Sequence, residues 1–447
     1  MTLLPLRVAS LHNILYCWLC PLVQVVTCKE SFSRINFLIM PTATDISKKV
    51  LDIDLSDPGP IPKEACDEVM ALLTTGRLHR YGEFGGTMPH VALLEKEYAD
   101  YVESKYALGV NSGGCAIYLA LKSLGVESGD KVLVNAFNLA PVPGAIQHAG
   151  AEAVLVEIEQ DLRINMSDLE QKAESSQAKV LLLTHMRGHI ANMDEISEIC
   201  QRKGLLLIED CAHTMGAKWK GKFTGTFGAA GCFSTQTFKH INSGEGGILV
   251  TNDEDVAAKA ILSSGCYMLY LQHKSGPPPE IFDKYKHVTP NLSMRMSNLV
   301  ACVLRPQLRQ MNERGKAWNN LYVNLEQRIN AIEGLSVPPR DIEEEFVASS
   351  IQFQIDGLIS EQIQVFVDSC TSRGVAIKWF GRDDPIGYTS QYNHWEYLPK
   401  QHLPITTSIL ATTCDMRIPL SLNDDHCETI ADIMTDEMAI ITNSLVY

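Results

Sequence analysis

From residue 107 onward the chain alternates short apolar runs with segments of helical spacing. The runs at 107–110, 131–135, 153–157, 179–184, 205–209 and 247–251 are rich in Val, Ile and Leu. Between them, helical patterns cover 114–124, 143–149, 167–173, 192–203 and 253–263. Ile196, Ile199 and Cys200 mark one buried helix face. Runs that are apolar on both faces, alternating with helices, predict an α/β fold with a mostly parallel sheet between helical layers. Ligands of such sheets sit at the carboxyl ends of the strands. A long helix is predicted over 312–332, and shorter strands and helices beyond 340 predict a smaller α+β domain. The Gly/Pro-rich stretch 275–279 reads as a loop.

The 447 residues are 45% hydrophobic and 20% charged, which supplies a sizeable core and excludes wholesale disorder. Net charge is −15, from 38 basic and 53 acidic residues. That balance lacks the footprint of a nucleic-acid binder. The cysteine count, 13, is odd and scattered, so no disulfide or zinc framework is expected and a reducing, cytoplasmic setting is. Residues 1–39 stand apart. Leu11 to Cys28 is largely apolar and uncharged, preceded by Arg7 and followed by Lys29, Glu30 and Arg34. It reads as a targeting or membrane-associating leader, or as a mis-called start with Met40 as the natural one. The expected division is a leader at 1–39, a large domain with an N-terminal arm at 40–300, and a small C-terminal domain at 301–447.

Three strand ends carry candidate chemistry. The run at 205–209 leads into Asp210, either a ligand-edge acid or a helix N-cap. Cys232-Phe233-Ser234 is followed by a lone Lys239 among aromatic and hydroxyl residues, then by Gly244-Glu245-Gly246-Gly247. A desolvated lysine is a nucleophile toward aldehydes, whereas a turn lysine is merely solvated. Asn111-Ser112-Gly113-Gly114 opens a helix whose N–H groups suit a phosphate; the alternative is a tight turn without ligand. Together they make a phosphate cradle, a strand-end acid and a lysine about 30 residues later. That set suits pyridoxal phosphate: hydroxyls and N–H groups for the phosphate, a carboxylate for the ring nitrogen, and an amine for the aldehyde. Phe137 is a candidate to stack on the ring, with core packing as its alternative.

At these residues the chain resembles the DegT/StrS family of fold-type I pyridoxal-phosphate sugar aminotransferases over roughly residues 60–440. The resemblance is carried by Ser234-x4-Lys239-x4-Gly244-Glu245-Gly246-Gly247, Glu209-Asp210, Asn111-Ser112-Gly113-Gly114, His185-Met186-Arg187-Gly188, Met193-Asp194-Glu195-Ile196, and Arg295-Met296-Ser297 with Gln307-Leu308. Lys378-Trp379-Phe380, Asn393-His394-Trp395, Leu403-Pro404-Ile405 and Arg417-Ile418-Pro419 are similar to the branch aminating C8 of a keto-deoxy-octulosonate. The resemblance implies a transaminase with Lys239 and Asp210 catalytic. It implies cofactor contacts from Lys239, Asp210, His213, Ser112, Gly113, Phe137, Ser234 and Asn291, and no metal. His185 and Arg295 are substrate candidates. It also implies glutamate or glutamine as amino donor, a keto or aldehyde sugar (nucleotide sugar or octulosonate-type sugar acid) as acceptor, and a homodimer with shared active sites.

Three departures stand out. His213 occupies a place where the family has Gln, which makes its charge depend on pH. Ser293 holds the family's Asn position before the Arg, with Asn291 two residues earlier. The phosphate turn reads Ser-Gly-Gly. Two competing readings are a dehydratase or lyase on the same fold, disfavoured because Lys239 is present, and a non-catalytic regulatory homologue.

Overall fold

The computed structural model describes residues 48–81 and 86–443. The leader at 1–39 lies outside the described residues.

Seven strands form the large sheet: β1 (Tyr106–Val110), β2 (Lys131–Asn135), β3 (Glu152–Val156), β4 (Val180–Thr184), β5 (Leu206–Asp210), β8 (Ala230–Ser234) and β9 (Gly247–Thr251). Between β5 and β8, the two-residue strands β6 (Lys218–Trp219) and β7 (Lys222–Phe223) make a small hairpin. The sheet order is β1-β9-β8-β5-β4-β2-β3. Only β9 runs against the others. The predicted runs match observed strands to within a residue at each end. β8 was marked in the sequence only by its end at Ser234.

Why these segments are strands follows from their two faces. Val132, Val134, Leu182 and Ile208 enter one core cluster, while Leu133, Leu181, Leu183 and Leu207 enter another on the opposite face. Successive side chains point to opposite sides of a strand, and here both sides are covered. Burying each such side chain is worth about 1.5–3 kcal/mol. Helix Met193–Lys203 follows Asn192, whose side chain accepts from the Glu195 N–H, and ends at Gly204 with φ 67°. It buries Ile196, Ile199 and Cys200, the face read from spacing.

A second sheet of order β10-β12-β14-β13 is wholly antiparallel: β10 (Leu335–Ser336), β12 (Ser350–Ile355), β13 (Ile377–Trp379) and β14 (Thr413–Arg417). Strand β11 (Glu344–Glu345) pairs instead with the β6–β7 hairpin. The core is continuous between the sheets, with Ile351, Phe353 and Met416 in the same cluster as Leu207 and Ile248. The expected boundary at residue 300 falls inside helix Asn298–Arg309. Among the described residues, no helix is long and apolar enough to cross a membrane.

Candidate active site

Strand register assembles the site. Gly247 pairs with Val110 on one side and with Ser234 on the other. Asp210 lies opposite Cys232, and Thr184 opposite Asp210. One sheet edge therefore receives the turn after β1, then Ser234, Asp210 and Thr184 in succession.

Ser112 caps helix Gly113–Ser123, its Oγ accepting from the Cys115 N–H at 3.1 Å. The N–H groups of Gly113 and Gly114 have no acceptor one turn earlier, so they and the helix dipole favour an anion. The cup tolerates no larger side chain. A Cβ on Gly113 would stand 2.9 Å from Ser234 Cβ, and one on Gly247 2.4 Å from the Ser112 carbonyl carbon.

Asp210 is the last residue of β5 and is buried. No helix follows it, so the helix-cap alternative falls. Its Oδ1 accepts from the Ala212 N–H at 3.1 Å and its Oδ2 from the Thr184 hydroxyl at 3.2 Å. Thr184 Oγ1 accepts in turn from Asn138 Nδ2 at 2.8 Å. Burial pushes the Asp210 carboxyl above its ordinary pKa, against these hydrogen bonds and Lys239. A cation placed against it favours the carboxylate.

Lys239 sits in the turn after β8, its N–H donating to the Gln236 carbonyl at 2.9 Å. Its Nζ lies 2.8 Å from His213 Nε2. Burial, then the Arg187 charge, lowers the Lys239 amine to about 7, against the pull of Asp210. This is no solvated turn lysine. Burial, with Lys239 and Arg187, also holds the His213 imidazole well below its ordinary pKa. Near neutral pH the ring is uncharged, which corrects the expectation that its charge follows pH there. His213 Nδ1 accepts from the Arg187 N–H at 3.4 Å, which assigns the ring proton to Nε2, toward Lys239.

Several expected residues play other parts. Phe137 has no exposed surface and meets Phe380 edge-on, ring centroids 4.9 Å apart. It offers no free face for stacking; Leu139, half-buried nearby, is the apolar side chain left partly open after β2. His185 also has no exposed surface, with Nε2 3.5 Å from Glu209 Oε2. A side chain without surface cannot meet a substrate, so His185 is structural. Glu209 binds the N–H groups of Gly225, Phe227 and Gly228, and burial keeps Cys211 a thiol, so the His185–Glu209–Cys211 cluster is poorly suited to a metal. Arg295 makes no ion pair among the described residues. It donates to the Gly265 carbonyl at 2.5 Å and lies over the Tyr267 ring. Its segment extends the sheet edge, Arg295 bridging Val110 and Asn111 N–H reaching the Met294 carbonyl. Asn291 and Ser293 are both exposed there. Asn291 Nδ2 donates to the Thr289 carbonyl at 3.0 Å.

Arg187 was left out of the sequence candidates although it stands at the strand end after β4. It adopts φ 55°, a left-handed conformation that only a well-held residue keeps. It is 8% exposed and its guanidinium lies 3.0 Å from Asp415. A charged residue just past the end of an apolar strand was the available signal.

The residues present fit pyridoxal phosphate: a small-residue cup at a helix start, a buried acid, and a half-buried amine whose pKa is lowered to about 7. The sequence profile of the DegT/DnrJ/EryC1/StrS aminotransferase family matches residues 61–435. GDP-perosamine synthase of Escherichia coli O157:H7 is 32% identical over 225 residues, 50% of this chain and 58% of that protein, less than two thirds of its length. The pleiotropic regulatory protein of Geobacillus stearothermophilus is 30% identical over 283 residues, 62% of this chain and 72% of that one. The crystal structure of 3-amino-5-hydroxybenzoic acid synthase superposes with TM-score 0.74 at 25% identity, covering 85% of this chain and 97% of the other. A GDP-4-keto-6-deoxymannose-3-dehydratase solved with a trapped PLP–glutamate geminal diamine shares the fold, with TM-score 0.72 at 21% identity over 84% of this chain and 99% of that one. This chain therefore belongs to the DegT/DnrJ/EryC1/StrS aminotransferase family, pyridoxal-phosphate enzymes of fold type I.

Proposed function

We propose that this protein is a transaminase that moves an amino group from glutamate or glutamine to a keto or aldehyde sugar, either a nucleotide sugar or an octulosonate-type sugar acid. The observation that carries the reading is the half-buried Lys239, whose amine lies 2.8 Å from His213 on the sheet edge that also holds Asp210. The family's cofactor, when bound, supplies an aldehyde to accept the amine and a ring to store the electrons left when the donor loses its proton.

The chain's own residues have distinct tasks. Ser112, Gly113 and Ser234 hold the phosphate. Asp210 keeps the ring nitrogen protonated. Lys239 anchors the aldehyde and, when free, carries a proton to and from the substrate carbon. An amine lowered to about 7 suits both directions of that transfer near neutral pH. His213 donates from Nε2 and stays neutral. Asn291 or Ser293 reaches a second copy's cofactor in a homodimer. The division into large and small domains near residue 300 belongs to the same proposal.

The test is the absorption spectrum of the purified protein carrying its cofactor, before and after glutamate or glutamine. Conversion of the visible band to a near-ultraviolet one supports the reading. A visible band that persists with every donor refutes the transaminase and favours a lyase. Failure to bind cofactor favours a regulatory homologue.

A further inference from the structure

On β14, Asp415 and Arg417 are two residues apart and so share a sheet face. Lys378 of β13 lies directly opposite Asp415, and Gln352 of β12 lies opposite it on the other side. Gln352 donates to Asp415 at 2.7 Å, and Arg187 meets the same carboxylate at 3.0 Å from the large sheet. One face thus gathers Arg187, Lys378 and Arg417 around a single carboxylate. Three positive charges face one negative charge.

The surplus is not neutralised nearby. Arg417 is half-buried, lies 3.8 Å over the Phe238 ring, and has no carboxylate partner among the described residues. Among the described residues, Lys378 Nζ donates only to the carbonyls of Ile386 and Tyr388, both at 2.8 Å. Arg187 is nine-tenths buried and its Nε has no partner among the described residues. Arg382 and Asp368, which line the same cavity as Lys378 and Arg417, pair with each other at 3.7 Å. The cations depress one another: burial and Arg187 lower Lys378 to about 8 and lower Arg417 below its ordinary value. Half-buried cations without counter-ions are costly. Their retention around an open cavity calls for an anion from outside.

The position is next to the chemistry. A cavity of about 340 Å³ is lined by Lys378, Asp415, Arg417 and Tyr388. A second, of about 320 Å³, is lined by Lys239, Phe238 and the same Arg417. Arg417 therefore borders both the reactive amine and the cationic face.

We propose that Arg417 and Lys378, beside the Arg187–Asp415 pair, form a substrate subsite for an oxyanion, a carboxylate or phosphate carried by the sugar. The subsite rests on the transaminase reading. Asp415 positions Arg187, and guanidinium groups suit planar, two-pronged recognition of such groups.

The test is calorimetric titration of the holoenzyme with three probes: a 2-keto-3-deoxy sugar acid, its neutral amide, and GDP. The acid should bind about 10- to 100-fold more tightly than the amide. Arg417→Gln and Lys378→Gln should each weaken the acid by about tenfold or more, leave the amide unchanged, and flatten the salt dependence. Arg417→Lys should recover part of the loss. GDP binding that is tighter than the acid and sensitive to the same variants also supports the subsite and names phosphate as its ligand. Equal binding of acid and amide, or acid and GDP affinities indifferent to both variants, overturns it. The spectral half-reaction with glutamate is the control. If it proceeds while titrations ignore charge, only the subsite fails; if wild type lacks it, the transaminase reading fails.

Discussion

The edge of the large sheet and the face of the small sheet are built on opposite electrostatic plans. At the large edge, Asp210 is closely matched: one oxygen takes the Ala212 N–H, the other the Thr184 hydroxyl, and Thr184 is itself held by Asn138. Strand register fixes every position there. On the small face, Asp415 pairs with Arg187 alone, Lys378 meets only carbonyls among the described residues, and Arg417 rests on an aromatic ring instead of an anion. The first plan suits a group that stays; the second suits a group that comes and goes. A preorganised, satisfied network holds a fixed geometry, whereas surplus charge is a free-energy reserve that an arriving anion releases.

The sharpest break of this comparison is Lys239→Ala. Removing a proton carrier costs about 10²–10⁴-fold, and losing the covalent anchor adds to that. Amino transfer should fall below detection in a single-turnover assay, while calorimetric titration still finds the anion subsite in the same variant. Loss of both would show that the two regions are one unit.

Asp210→Asn should retain cofactor but slow the glutamate half-reaction by about 10²–10³-fold, the scale of one buried electrostatic partner. Stopped-flow absorbance measures it, and a near-normal rate would remove Asp210 from the chemistry.

The charge link between the regions predicts a pH effect. With Lys239 at about 7, roughly half the amine is neutral at pH 7 and about a tenth at pH 6. The rate at which apoprotein captures pyridoxal phosphate should therefore rise with pH and level off above 7. Arg187 lowers the Lys239 pKa, so Arg187→Gln should move the midpoint upward. An unmoved midpoint would separate the two regions electrostatically.

The smallest effect is expected from His213→Gln. The imidazole is already neutral, so the midpoint of that profile should stay in place and the rate change by less than about tenfold. A displaced midpoint would mean that His213 carries charge in the working range.

Apolar runs alone located six of the seven large-sheet strands, because a strand buried on both faces needs an unbroken run of Val, Ile and Leu. Strand ends then marked Ser112, Asp210 and Lys239, since polar residues directly after such runs fall on one edge. The same logic did not separate Phe137 from Leu139, or reveal His185 as a core residue paired with Glu209. Adjacent positions at a strand end differ only in which way the chain turns, and a sequence does not state that.

What the sequence by itself determined, then, is the α/β architecture, the edge that receives the chemistry, and the lysine, acid and small-residue turn placed there. These depend on local runs and spacings within about 30 residues. Tertiary structure alone decided the rest. Arg187, Lys378 and Arg417 come from segments far apart in the chain, and only the β12–β14–β13 register sets Lys378 opposite Asp415 with Arg417 on the same face. The lowered Lys239 amine and the neutral His213 likewise come from burial and from charges distant in sequence. Electrostatic environment is a property of neighbours in space, and neighbours in space are fixed only when the sheets close against each other.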